Sequence, residues 1–250
     1  MRPELFSVGP FTVYSYGLMI AIGVLAAIFT AEYRAKGLGL DPEKVFGLGI
    51  WCALIGILGA KLMYILTDLP AIIKNPEMLL NVSDGFVVYG GIIAGILFAM
   101  WYCKRKEMDF LSYFDLVMPS IALAQGFGRI GCFMAGCCYG KETSAWYGVS
   151  FEHSPFAPHG VHVIPTQLLS SAGDFLLFAI LVFYAKRAKR KGAVAASYLI
   201  LYSVGRFLIE FLRDDPRGAV GIFSTSQFIS LFILAAGILM MTFVHKKKAA

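Results

Sequence analysis

The 250-residue sequence predicts an all-α integral membrane protein, a bundle of about seven transmembrane helices with the N-terminus outside and the C-terminus in the cytoplasm. Three observations predict it: the apolar composition, the spacing of long apolar runs, and the placement of lysine and arginine. Hydrophobic residues make up 58% and charged residues 15%, with a mean hydropathy of +0.70. Soluble domains average about 45–50% and about 25%. A soluble chain of this length must still cover its surface with polar groups, and this one has too few. Disorder, collagen-like repeats and a disulfide-rich scaffold are excluded by the same composition.

A run needs about 20 residues to cross about 30 Å of hydrocarbon. The runs lie at roughly 14–33, 45–66, 86–103, 113–139, 168–185, 195–212 and 223–244. The fourth is the longest and contains Pro119, which predicts tilt or a kink. Alternation with period two is absent, which argues against a β-barrel. Residues 1–11 carry one Arg and one Glu and lack the basic stretch and short apolar core of a cleavable signal peptide. No repeat or soluble domain is evident, so residues 1–250 read as one polytopic domain with a compact outer loop at about 140–167.

Orientation follows from the loop cations. Arg34, Lys36, Lys44, Lys104, Arg105, Lys106, Lys186, Arg187, Lys189, Arg190, Lys191, Lys246, Lys247 and Lys248 fall on one side, fourteen in all. The other side has five: Arg2, Lys74, Lys141, Arg213 and Arg217. The net charge of +6 therefore reads as a topology signal, and nucleic acid is not an expected partner.

Three of the 22 cations remain, Lys61, Arg129 and Arg206, all inside predicted spans. An unpaired charge there costs at least about 2.5–3.5 kcal/mol. Arg129 follows Asp115 by 14 residues, about 21 Å along a helix. Lys61 comes late in span two, and Arg206 sits in the middle-to-outer part of span six with Glu210 one turn on. Tyr89-Gly90-Gly91 opens span three, and Tyr14 and Tyr16 begin span one, at the same outer level. Taken singly, Lys61 can snorkel and Arg206–Glu210 can be a plain i,i+4 pair. Taken together, three cations against one span acid favour a site for an anion, and a lipid phosphate is the anion found at that depth.

Gly126, Gly128, Gly131, Gly136 and Gly140 stripe span four, and Gly90, Gly91 and Gly95 open span three. Close helix packing and backbone approach to a headgroup both account for them. Cys132, Cys137 and Cys138 cluster at the end of span four, with His153, His159 and His162 in the following loop. Cys-x4-Cys-Cys on a helix is not a zinc-ligand spacing, and small packing residues are the favoured reading over a mixed Cys/His site. No metal or other cofactor is expected. Neither a Ser-His-Asp order nor a GxSxG elbow is present.

Gly128-Arg129-Ile130-Gly131-Cys132-Phe133, with Gly136 and Tyr139-Gly140, resembles the GRxGNF…G motif of prolipoprotein diacylglyceryl transferases. Phe6-Ser7-Val8-Gly9-Pro10 with Tyr16-Gly17-Leu18-Met19 is similar to that family's N-terminal pattern. Asp84-Gly85, then Tyr89-Gly90-Gly91-Ile92 and Gly95, resembles its DGG…HGGLxG segment. Pro165-Thr166-Gln167-Leu168 resembles part of HPSQLYE, and Tyr202, Arg206, Glu210, Phe211 and Arg213 match the Y…R…EF.R helix. The seven-span, N-out topology is also the family's.

The resemblance implies an enzyme of the bacterial cytoplasmic membrane. It would move diacylglyceryl from phosphatidylglycerol to the lipobox cysteine thiol of a prolipoprotein, with glycerol phosphate leaving. Its partners would be phosphatidylglycerol and prolipoprotein signal peptides. Arg129 and Arg206 take the positions of the family's essential arginines, and Lys61 stands where another Arg is usual. Tyr16, Gly90, Gly91, Tyr202, Glu210 and Arg213 complete the implied lipid-binding set. The family pattern is also broken: its HGG histidine is Tyr89, its GNF asparagine is Cys132, an acidic residue near Gly136 is Cys137, and the HPSQLYE histidine is Ile164, with Leu169-Ser170 closing that motif. The implied catalytic set is thus Arg129, Arg206 and Tyr89, with Tyr89 a weak base near neutrality. The alternative is a divergent paralogue that binds anionic phospholipid as a different transferase or as a lipid-handling protein.

Overall fold

A computed structural model describes residues 4–8, 11–79, 85–216 and 218–246. Gly9, Pro10 and Asp84 of the motifs, and Arg2, Arg217, Lys247 and Lys248 of the cation count, lie outside the described residues. Strands β1 (Glu4–Val8) and β2 (Phe11–Tyr14) pair antiparallel and lead into α1 (Ser15–Gly37). There follow α2 (Pro42–Thr67), the short α3 (Leu69–Lys74), a 3-10 turn at Pro76–Leu79, α4 (Val88–Arg105) and α5 (Phe110–Ala135). After a loop come α6 (Thr166–Ala185), α7 (Ala193–Ile209) with a 3-10 turn at Glu210–Leu212, the β3–β4 hairpin (Ala219–Val220, Phe223–Ser224) and α8 (Thr225–Lys246). The two hairpins are the departure from an all-helical chain.

Among the described residues, six helical segments are long and apolar enough to cross a membrane: Ser15–Gly37, Pro42–Thr67, Phe110–Ala135, Thr166–Ala185, Ala193–Leu212 and Thr225–Val244. The seventh expected span is α4, an 18-residue helix whose last turn is Lys104-Arg105, and it is not among the six. Only 17% of the most apolar stretch of α8 is buried by protein, and Phe232 and Phe243 are exposed. Helices this apolar with outward faces this bare need lipid as their solvent, while their backbone groups bond internally.

The chain divides into two compact units, residues 1–30 with 114–250 and residues 31–113. In the larger unit, Met118 and Ala122 of α5, Leu177 and Leu181 of α6, and Val194, Ala195 and Tyr198 of α7 form the buried core. Asp115 caps α7 from α5, accepting from Gly192 N at 2.6 Å and Ala195 N at 2.8 Å. Glycines set the closest crossings. A Cβ on Gly126 would meet the Phe175 ring at 2.5 Å, and one on Gly131 would meet Tyr16 and Met19 of α1 at 3.1–3.2 Å. Gly128 faces open space, so only part of the stripe is a packing device. The loop after α5 has its own small core of Phe151, Ala157 and Val163.

In the smaller unit, Asp41 caps α2, accepting from Glu43 N at 3.0 Å, with Pro42 at the first helical position. Helices α2 and α4 cross through glycine. A Cβ on Gly90 would lie 2.4 Å from Gly59 O, and one on Gly91 2.8 Å from Gly56 O. Gly90 and Gly91 are therefore helix-packing residues here.

Helix α5 ends at Ala135, four residues before the predicted end of span four. Gly136 takes the left-handed conformation at φ 72°. Its N–H donates to Phe133 O at 3.2 Å, and Cys137 N–H donates to Cys132 O at 3.1 Å. This pair of bonds is a Schellman stop, which glycine makes without Cβ strain. α5 otherwise runs continuously through Pro119, which is fully buried.

Candidate functional site

In the larger unit α5, α6 and α7 line an open cavity of about 410 Å³. Its walls are mainly aliphatic, from Leu169, Leu176, Ile180, Leu201, Leu208 and Ile209. Arg129, Asp174, Tyr202 and Arg206 also line it. Of the three span cations, Arg129 and Arg206 stand on one cavity, and Lys61 belongs to the other unit. Apolar walls with a few charged groups suit an amphipathic anion.

The two arginines are not equivalent. Arg206 donates from Nη1 to Glu210 Oε2 at 2.8 Å and from Nη2 to Ser226 Oγ at 2.7 Å. The i,i+4 pair considered from sequence is therefore present, and both side chains are largely buried. Among the described residues, no carboxylate lies within 4.0 Å of Arg129. Its charge interacts with Tyr202, Cys132, Cys138 and Asp174. Tyr202 is stacked on Tyr198, with centroids 5.5 Å apart, and Tyr198 donates to Gln125 Oε1 at 2.8 Å.

Arg213, counted from sequence among the outer-loop cations, is buried. It holds Asp215 in a fork, Nε to Oδ1 at 3.0 Å and Nη2 to Oδ2 at 3.1 Å. Burial pushes the Asp215 carboxyl up, and the Arg213 charge opposes that shift. Lys141 N–H donates to Leu212 O at 2.9 Å and Gly140 N–H to Ile164 O at 3.0 Å, tying this segment to the turn after α5. A Cβ on Gly140 would lie 2.7 Å from both Ile164 O and Leu212 O, so only glycine fits. Tyr16, half-exposed, packs at Gly131 and lies within electrostatic reach of Arg129 and the cysteines.

In the smaller unit Lys61 Nζ lies over the rings of Tyr64 and Phe86, 5.3 and 5.2 Å from their centroids. Cation–π contact is its setting. Tyr89 opens α4 with its side chain half-exposed.

Sequence reasoning missed two features. The count of one span acid was wrong: Asp174 of α6 lines the cavity, and Asp115 lies in α5. An acidic residue inside a predicted span was the available signal. The second is the cysteine turn. Sγ atoms of Cys132, Cys137 and Cys138 all lie within 4.8 Å of one another. Cys138 adopts φ 64°, which costs a non-glycine residue about 1–2 kcal/mol. The Cys137 thiol donates to Cys132 O at 3.7 Å, and the Arg213 and Arg129 charges lie within electrostatic reach of Cys138.

These features define a polytopic helical membrane protein with an arginine-lined apolar cavity. The model of the family described as Prolipoprotein diacylglyceryl transferase matches residues 3–243, and the chain belongs to that family. It is 51% identical over 238 residues to a phosphatidylglycerol–prolipoprotein diacylglyceryl transferase of Clostridium tetani, covering 95% of this chain and 96% of that protein. A second relative, the protein of that name numbered 2 in Clostridium perfringens, is 44% identical over 241 residues, covering 96% and 94%. The Finegoldia magna protein of that name is 32% identical over 237 residues, covering 94% and 92%.

Proposed function

We propose that the chain transfers diacylglyceryl from phosphatidylglycerol to the lipobox cysteine thiol of prolipoproteins, at the outer leaflet of a bacterial cytoplasmic membrane. The observation that carries this reading is the placement of Arg129 and Arg206 on one aliphatic-walled cavity. The aliphatic walls suit acyl chains, and the guanidinium groups suit the phosphate. In the reaction the cysteine thiol loses its proton to water, its sulfur attacks the glyceryl carbon, a C–S bond forms, and the C–O bond to phosphate breaks. The electron pair leaves on the phosphate oxygen, where cationic donors in a dry cavity act most strongly. Arg129 receives that charge. Arg206, already held by Glu210 and Ser226, supplies a fixed second cation.

Tyr202 and Arg213 shape the site around them, Tyr202 on the cavity wall and Arg213 by bracing the turn. Tyr16 packs at Gly131, two residues along α5 from Arg129. Lys61 takes the position of a family arginine, keeping the charge without the planar fork. Tyr89 takes the position of the family histidine. The apolar runs support seven spans with α4 the third, and the loop cations support an N-terminus outside.

Complementation tests the reading. A strain depleted of its own transferase should be rescued by this chain, and Arg129→Ala should abolish the rescue. Failure of the correctly inserted wild-type protein to rescue would contradict it and favour a lipid-binding paralogue.

A further inference from the structure

The three thiols at the end of α5 have a built setting. The Schellman stop at Gly136 turns the chain back, so that Cys137 and Cys138 return towards Cys132 instead of continuing up the helix. The turn is pinned from α6: Thr166 Oγ1 donates to Cys138 O and Gln167 Nε2 donates to Cys137 O, both at 2.8 Å. Thr166 and Gln167 are each 1% exposed, so this support is rigid. Cys132 is buried, while Cys137 and Cys138 are half-buried. None of the five cysteines is in a disulfide.

Zinc–thiolate bonds are about 2.3 Å, which places the sulfurs of a tetrahedral site a little under about 4 Å apart. Sulfur atoms already within 4.8 Å reach that spacing by small side-chain rotations. Zinc with three thiolates carries one net negative charge, and Arg129 and Arg213 lie within electrostatic reach of Cys138. Soft thiolate ligands select zinc or cuprous copper, and copper would leave a second negative charge to offset.

We propose that Cys132, Cys137 and Cys138 bind one zinc ion through three thiolates and leave its fourth position exchangeable. Three protein ligands with an open position are the pattern of reactive zinc rather than structural zinc. The fourth ligand suited to such a site is a thiol. On exchange its proton passes to water, and its sulfur binds zinc as thiolate. Resting on the transferase reading, this last step deepens it: the zinc-held sulfur is the nucleophile that forms the C–S bond, and the phosphate oxygen leaves towards Arg129. Zinc would then do the proton handling that a tyrosine at position 89 does poorly near neutrality.

The test uses the full chain purified in detergent, reduced and kept from oxygen. Zinc should be present at one ion per chain, and X-ray absorption at the zinc edge should give three sulfurs. Cobalt(II) in place of zinc should show sulfur-to-cobalt charge transfer and tetrahedral d–d bands. Cys132→Ser, Cys137→Ser and Cys138→Ser should each lose these signals, and Cys52→Ser and Cys103→Ser should keep them. A lipobox peptide should shift the d–d bands, and its Cys→Ser counterpart should not. Zinc bound without sulfur, no zinc binding, copper(I) binding alone, or a disulfide within the trio would each overturn the site. An intact cobalt spectrum that ignores the peptide would overturn the exchangeable position. Three-sulfur zinc in a chain that fails to transfer diacylglyceryl would overturn the transferase reading and leave the metal site standing.

Discussion

Arg206 holds Glu210 at 2.8 Å one turn along α7, whereas Arg129, on the same cavity, has no carboxylate that close among the described residues. The first arginine is neutralised before a ligand arrives. The second is the one whose charge a ligand can meet.

Breaking the pair should unfold more than it inactivates. Glu210→Gln leaves a largely buried guanidinium without its anion and should cost about 3–5 kcal/mol. Thermal unfolding in detergent would read this as a large fall in midpoint. The double variant Arg206→Met with Glu210→Leu should recover much of the stability without recovering transfer.

Tyr89→His tests whether the lost base limits the rate. If the lost base limits the rate, the variant should turn over faster than the wild type, with a rate that rises as pH passes through about 6.5; if a zinc-held thiolate carries the proton step, the rate should stay unchanged. An unchanged or lower rate, by single-turnover transfer to a lipobox peptide, would show that Tyr89 is not a weakened stand-in.

Asp115 is a stabilising cap. Its two acceptor bonds satisfy backbone N–H groups at the start of α7, so Asp115→Ala should cost about 1–2 kcal/mol. The midpoint should drop while kcat measured well below it stays close to wild type.

Gly59 belongs to the α2–α4 crossing. An added Cβ would fall 2.3 Å from Ala94 Cβ and 2.7 Å from Gly90 O, so the helices must part. Gly59→Ala should destabilise by about 1–3 kcal/mol. Proteolysis of the embedded protein should show earlier cleavage within residues 31–113.

The spans were legible because lipid imposes one simple rule, an apolar run of fixed length, and the positions of Arg129 and Arg206 followed from helix rise. The end of span four was not, because apolar Phe133 and Met134 and small Gly136 continue the composition while the backbone has already turned. Gly136, four residues beyond Cys132, was the usable signal. The closeness of the cysteine trio was hidden for the same reason: Cys-x4-Cys-Cys scatters its sulfurs on a regular helix and gathers them only around two left-handed residues, Gly136 and Cys138. Asp174 was lost among apolar neighbours, although a lone acid in a span is rarely idle.

The central claim is that Arg129 receives the departing phosphate of an anionic phospholipid. Transfer of labelled diacylglyceryl from phosphatidylglycerol to a lipobox peptide, by purified protein in lipid nanodiscs, tests it most directly. Arg129→Ala should lower kcat by about 10²–10³ at unchanged stability, and Arg129→Lys should recover part of that loss. Wild-type turnover in the Arg129→Ala protein would contradict the account.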